Sequence, residues 1–515
     1  MAVQLTTVEV SEKTLRDLDI FDLLRPLFPG WKNADQDIAA FVSTYLTHDP
    51  QEIHRRVSVL GHLKSNPQNT SHMADLAAQN QKLSTSLKNL RLQLRPIAFA
   101  TQTRLALEAY VSSVGGMEDL FTPPHPAIQD ICQYIEVEKS GDFYHSASHL
   151  LTQLQQTLPP LHNVTLGVNL CGAGRPTHVG IAEINSPQVS VGIFDNAGHG
   201  NGLTSPLPVK SQSQFSHFSD FIFTEVEKQW APQLKPILSL LRKFPFERLV
   251  AWHEWLSHME LYCKGLSFAN RFTDMGYPLC APIAHNQFQA EEMIYPNFAI
   301  QGHVPLPQSL TISHGDTVMV TGANGSGKTS GVKTFAQNSL LAQLGFWVPA
   351  KSFTFIPFSH WYAVFPEVDN NTMEASRHQK ELEQIHTAIQ GASAGSCIIL
   401  NEPYTATSHA QALLGIHDTV KTLVGKGATT ILITHMCDLY NHLLDSGVTL
   451  RSYVTHTTIC QGKAVKTFAL EARPPDTSSL ARYLAETHGF GIAHMVPDLD
   501  KVRILEDFIA EGDSR

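Results

Sequence analysis

The sequence predicts a multidomain fold, with an α-helical region over about residues 1–300 and an α/β P-loop NTPase domain of the ABC-ATPase type over about 301–515. Three observations predict it. Helical apolar spacing dominates the first hundred residues. From about Gln301 short apolar strands alternate with helices, which is the α/β pattern. Within that second texture, Gly322-Ala323-Asn324-Gly325-Ser326-Gly327-Lys328-Thr329 fits G-x-x-x-x-G-K-[ST] without exception.

The helical part opens with LRDLDIFDLLRPLF, whose leucines, Ile20 and Phe21 suit one buried helix. DPQEIHRRVSVLGHLKSN begins with Asp49-Pro50, a capping pattern, and puts Ile53, Val57, Leu60 and Leu63 on one face. TPPHPAI near Thr122 breaks the helical signal. NVTLGVNL and THVGIAEIN alternate like strands, and Asp195 to Gln214 is rich in Gly, Ser and Pro, so about 163–214 forms a strand-and-loop part. Phe221 to Phe268 turns helical again, with a break near Pro245.

In the second part DTVMVT is a short strand before the loop, and Val332, Phe335, Ala336, Leu340, Leu341 and Leu344 keep helical spacing after it. Gly345 stops that helix. The CIIL and TTILIT runs suit buried parallel strands. Phosphates would sit at the helix N-terminus, where free N–H groups and the dipole favour anions. The glycines let the backbone wrap closely, Lys328 would reach the β- and γ-phosphates, and the Thr329 hydroxyl would ligate Mg²⁺, with Ser330 next to it. Asn401-Glu402 ends an apolar strand, where a metal-holding residue is followed by an acid that polarises water. His435 lies just past another strand, within reach of a γ-phosphate.

Bulk properties bound the rest. At 515 residues, 43% hydrophobic and 16% charged, the chain should hold two to four domains with their own cores. A net charge of −10 does not favour a wholly basic nucleic-acid binder, and it leaves room for a local basic patch. No apolar run is long enough to cross a bilayer, and the N-terminus lacks a signal-peptide core, so no membrane partner is expected. Seven cysteines without a C-x-x-C suggest reduced thiols and a cytoplasmic location. His145 and His149, at i and i+4 without a carboxylate nearby, suit a solvated helix face better than a metal site.

These motifs together resemble the ATPase domain of the MutS family, the DNA mismatch-repair and related DNA-remodelling proteins. The likeness runs from Gln301 to about Gly489, on Val320-Thr321-Gly322-Ala323-Asn324, LLAQLGFWVPA, CIILNEPYTATS and THMCDL. LLAQLGFWVPA is the most specific, since a general P-loop protein has no reason to carry that step. SSLARYLAETHGF is similar to the helix that closes such domains, EEMIYPNF to the junction before them, and the N-terminal helices to the family's helical core.

The resemblance implies ATP and Mg²⁺ as cofactors, a homodimer, and DNA as partner through a helical core, levers and clamp. It makes Glu402 the catalytic carboxylate and His435 the γ-phosphate histidine. Ser376 becomes the signature serine reaching the other subunit's nucleotide, with Glu381 in the same helix start. Thr407-Ser408 match the loop linking the two sites, and His303 falls where an aromatic stacks on adenine. The sequence departs from the family where Asn401 replaces the metal-binding acid, Ser359-His360 an Asp-Arg pair, and Pro305-Leu306 a Pro-Asn pair. An amide adds no charge at the metal, so weaker Mg²⁺ use is expected. A short form without the mismatch-sensing domain is expected, since that domain finds no room before Leu15, and Phe223-Thr224-Glu225 matches its reading element by letter only. An ABC-type transporter ATPase or a nucleotide-switched scaffold remains the alternative. The upstream helices and the lack of an L-S-G-G-Q signature weigh against the first, and Asn401 alone supports the second.

Overall fold

The computed structural model describes residues 8–28, 33–92, 96–121, 128–157, 164–171, 176–184, 232, 235–366, 374–404, 407–460 and 463–475. The predicted loop at 195–214, Phe223-Thr224-Glu225 and the SSLARYLAETHGF segment lie outside them.

Thirteen strands are described: β1 (Glu9–Val10), β2 (Val164–Leu170), β3 (Pro176–Ile184), β4 (Ile283–Ala284), β5 (Gln287–Met293), β6 (Gln308–Ser313), β7 (Thr317–Thr321), β8 (Ser352–Phe355), β9 (His360–Val364), β10 (Ser396–Asn401), β11 (Thr429–Ile433), β12 (Leu450–Cys460) and β13 (Lys463–Ala472). The chain forms two compact units, one of Met1–Gly61 with Lys264–Arg515 and one of His62–Cys263. These units group residues by contact, whereas the division at 300/301 groups them by the texture of the sequence.

The first unit holds a seven-stranded sheet in the order β1-β9-β10-β11-β7-β12-β13. Every pair is parallel except β12 with β13. β7 and β11 are buried along their whole length, as a strand covered on both faces must be. A second sheet, β4-β8-β5-β6, packs Phe288 against Phe335 of the helix Lys328–Gln343, with ring centroids 4.7 Å apart. That helix is buried nearly all round. It ends as predicted: Gly345 takes φ +83, its N–H bonds to Ala342 and that of Phe346 to Leu341.

Residues 15–28 differ from the expected single helix, and the chain breaks within them. They fall in two helices, Glu12–Asp17 and Ile20–Leu24, followed by a 3₁₀ turn over Arg25–Leu27. Asp19 between them sits at φ +55, a left-handed conformation that no continuous helix tolerates. Its carboxylate explains the break: Oδ2 accepts from Tyr295 Oη at 2.9 Å and from Lys333 Nζ at 2.7 Å. The apolar residues are buried as predicted, Leu15, Leu18, Ile20, Phe21, Leu23 and Leu24 all being below 5% exposed.

The helix Pro50–Ser65 starts as predicted, with Asp49 Oδ1 accepting from the Gln51 N–H at 2.9 Å and Ile53, Val57, Leu60 and Leu63 buried. This helix and Met259–Asp274 meet the segment just after the helix Lys328–Gln343. Trp347 Nε1 donates to the Val57 carbonyl, and a Cβ on Gly265 would stand 2.7 Å from Leu60 Cδ1 and 3.1 Å from Phe346 Cδ1.

In the second unit the long helices Asn69–Leu92 and Pro96–Leu120 pack along each other. The helix Phe246–Ser257 begins after Pro245, at the predicted break. Its Trp252 Nε1 donates to Ser113 Oγ, and its Arg248 pairs with the buried Glu138, which also accepts from Tyr110. β2 and β3, strands as their alternation predicts, pair antiparallel. His145 and His149 are both exposed on the helix Asp142–Thr157. Among the described residues no helix is long and apolar enough to cross a membrane.

Candidate nucleotide-binding and hydrolysis site

Sheet register brings the site together. Asn401 of β10 lies beside Ile433 of β11, which lies beside Val320 of β7. The row continues past the strand ends, Glu402 N donating to Ile433 O and Thr434 N to Val320 O. One step on are the Gly322 loop, His435 and the Glu402 turn, at the carboxyl ends of adjacent parallel strands, where open α/β sheets bind ligands. Three predicted pieces far apart in sequence are therefore neighbours.

Gly322 leaves β7 at φ +141, and Gly325 and Gly327 take φ +66 and +96. Side chains are excluded at Gly322 for a second reason: a Cβ would stand 1.9 Å from Thr455 Oγ1. Ser326 Oγ bonds both the Ala323 carbonyl and Thr455 Oγ1. Lys328 opens the helix, is 5% exposed, and donates to the carbonyls of Gly322 at 2.9 Å and Ala323 at 3.1 Å. Its ammonium is 3.9 Å from Glu402 Oε1. Thr329 Oγ1 donates to Asn401 Oδ1 at 3.4 Å, so the two expected metal-side residues meet.

This donor set fits a nucleoside triphosphate with a divalent cation. A buried ammonium and the N–H groups of a glycine loop at a helix start suit phosphate, while the Thr329 hydroxyl and Asn401 amide oxygen suit a hard cation. Among the described residues Glu402 brings a side-chain carboxylate beside Lys328, and it is 30% exposed. His435 is exposed at the end of β11, and the Met436 N–H donates to Thr434 Oγ1 beside it. His303 is exposed, with its ring 4.4 Å from that of Phe298. Ser376 is the third residue of the helix Glu374–Gly391, and its side chain lies outside the described residues.

Sequence reasoning missed the wall formed by β12 and β13. Thr455 bonds Ser326, a Cβ on Gly327 would stand 3.2 Å from Phe468, and one on Gly331 would stand 2.7 Å from Leu470. Gly331 carried a usable signal, since a glycine inside a helix costs about 1 kcal/mol against alanine and often marks a close approach. Asp19, Lys333 and Tyr295 were missed as well. Burial and the neighbouring Asp19 carboxylate push the Tyr295 phenol well above its ordinary range, so it stays a donor to Asp19.

Residues 318–472 match the family model for MutS domain V. The chain is 31% identical over 131 residues to DNA mismatch repair protein MutS of Lactococcus lactis subsp. lactis, covering 24% of this chain and 15% of that protein. It is 31% identical over 143 residues to the protein of that name from Lactobacillus gasseri, covering 26% and 16%. Against that of Haloquadratum walsbyi it is 27% identical over 135 residues, covering 26% and 14%. The matched stretch spans about a sixth of the length of these relatives. The chain is thus similar to MutS proteins through residues 318–472.

Proposed function

We propose that this chain is a MutS-family, ATP-dependent DNA-binding protein, using ATP binding and hydrolysis in a dimer to switch a helical clamp. The observation that carries the proposal is the meeting of Lys328, Thr329, Asn401 and Glu402 at adjacent strand ends. When bound, Mg·ATP supplies the phosphoanhydride whose cleavage resets the switch. Lys328 would neutralise phosphate charge, and Thr329 with Asn401 would hold the cation. Glu402 would accept a proton from water, and His435 would donate to a γ-phosphate oxygen. Phe298 and His303 offer rings to the base.

The chain leaves the first unit along Pro50–Ser65 and returns along Met259–Asp274. Both pack on Gly345–Trp347, directly after the helix that Lys328 opens. A shift of that helix is thereby felt by both crossing helices. Such coupling is reciprocal, so DNA that favours the closed clamp must tighten ATP binding.

The test pairs two variants in a phosphate-release assay with magnesium and a nucleotide-binding titration. Lys328→Ala should abolish ATP binding. Glu402→Gln should bind ATP at parental affinity and lose hydrolysis, because it acts on the water and not on ground-state phosphate. Parental turnover in Glu402→Gln would remove Glu402 from the chemistry.

A further inference from the structure

The turn that carries Glu402 is held in an unusual conformation. Glu402 has φ +48 and Tyr404 has φ +64, two left-handed non-glycine residues on either side of Pro403. Such conformations cost free energy and persist only where neighbours enforce them. A residue before proline is further restricted. Pro403 has no N–H, so the first backbone donor after Glu402 is that of Tyr404. That donor goes to Glu381 Oε1 at 2.7 Å. The rest of Tyr404 is fixed too: its hydroxyl meets Thr419 Oγ1 at 2.8 Å, its carbonyl accepts from Thr407 N and Oγ1, and its ring closes on Gly415. On the other side, Glu402 N is tied to Ile433 O at 2.8 Å. The Glu402 side chain thus stands between two clamps, one from β11 and one from the helix Glu374–Gly391.

We infer that Glu381 is a positioning residue for Glu402: its carboxylate, by holding the Tyr404 N–H, keeps the strained turn in the shape that aims Glu402 at the Lys328 end of the site. The inference rests on the reading of this site as an ATPase. It extends that reading, because Glu381 lies five residues beyond Ser376 on one helix. If Ser376 serves the partner's nucleotide, the helix that senses one site carries the group that sets the acid of the other. A displacement of that helix would then alter hydrolysis in its own chain without touching the phosphate loop.

The experiment compares the parental protein with Glu381→Ala and Glu381→Gln. Steady-state ATP hydrolysis, affinity for a fluorescent ATP analogue, and hydrogen exchange at the Tyr404 amide are measured for each. Removing the acceptor should lower kcat by about 10- to 100-fold, the scale expected when a catalytic group is displaced by about an ångström. Nucleotide affinity should stay within about twofold of parental, since the phosphate loop is untouched. Tyr404 exchange should accelerate. Glutamine keeps an acceptor oxygen at the same reach, so it should restore both turnover and protection. Parental kcat or undiminished Tyr404 protection in Glu381→Ala would overturn the inference, and so would a Glu381→Gln protein as impaired as the alanine variant. Should Glu381→Ala not fold, Glu381→Asp, one methylene shorter, replaces it under the same criteria. A parental protein that binds ATP without hydrolysing it would refute the ATPase reading instead. Tyr404 exchange then still decides whether Glu381 holds the turn.

Discussion

Gly322→Ala isolates two forces at the most crowded point of the phosphate loop. The residue sits at φ +141, a region open almost only to glycine, and forcing a side chain there costs roughly 1–3 kcal/mol. The new Cβ would stand 1.9 Å from Thr455 Oγ1, with Thr455 O at 3.1 Å and Ser326 Oγ at 3.2 Å. Thr455 cannot simply rotate away without losing its bonds to Ser326 Oγ and Thr321 O, so overpacking adds roughly 1–3 kcal/mol. The sum, about 2–6 kcal/mol, corresponds to a melting shift of roughly 4–12 °C at about 2 °C per kcal/mol for a large domain. Thr455→Ala alone should cost about 1 kcal/mol through its lost hydrogen bonds. In the double variant the clash disappears and the backbone strain stays. The double-mutant cycle should therefore show a favourable coupling of about 1–3 kcal/mol. Thermal melts and ATP titrations of the four proteins decide it. An unshifted Gly322→Ala melt refutes the strain, and strict additivity of the two substitutions refutes the clash.

Restoring a carboxylate with Asn401→Asp should move half-maximal ATPase activity to lower magnesium, since it adds charge beside Thr329; an unchanged titration refutes the assignment. Ser376→Arg should cut turnover if each site is completed by the partner. Normal hydrolysis, or a protein that stays monomeric at micromolar concentration with a slowly hydrolysed ATP analogue, refutes the shared site. If the proposed function holds, DNA binding should fall steeply with salt and follow DNA shape, because phosphate contacts within a clamp would dominate it. Strong discrimination of one mismatch over matched duplex at equal salt would overturn that.

What was legible in the sequence follows physical range. The glycine loop with its helix was legible because its pattern is local: the glycines, the lysine and the following helix occupy one stretch. β7, β10 and β11 were legible because strands buried on both faces are apolar throughout. The second sheet was not, since β5 reads QFQAEEM, with only Phe288, Ala290 and Met293 buried, too short an alternation to stand out. Nor was the break at Asp19, because its cause lies at Tyr295 and Lys333, about three hundred residues away. The resemblance placed Glu381 in the signature helix start, but its hold on the turn was not legible, because its partner is a backbone N–H, which no side-chain pattern reports. Convergence of the site itself depended on strand order, which periodicity does not encode.

The helix that Lys328 opens explains why residues 8–61 group with the seven-stranded sheet. A helix in a doubly covered position should be apolar, yet Gln337, Asn338 and Gln343 are fully buried in this one. Each amide bonds groups that lie outside the helix. Gln337 donates to Leu18 O and accepts from Asn297 N; Asn338 donates to Ile294 O; Gln343 donates to Thr47 O and Phe358 O and accepts from Trp361 Nε1. A buried amide without partners would cost roughly 1–3 kcal/mol, so these pairings fix which segments may lie against the helix. Leu18 and Thr47 come from the N-terminal segment, Asn297 and Ile294 from the approach to β6, and Phe358 and Trp361 from the approach to β9 and from β9 itself. Apolar packing alone would let such segments slide, since it has no direction. The amides set their register, and with it the position of Pro50–Ser65 against Gly345–Trp347. The helix that Lys328 opens is thus also the ruler along which the surrounding chain is placed, so its position cannot change without moving what it holds.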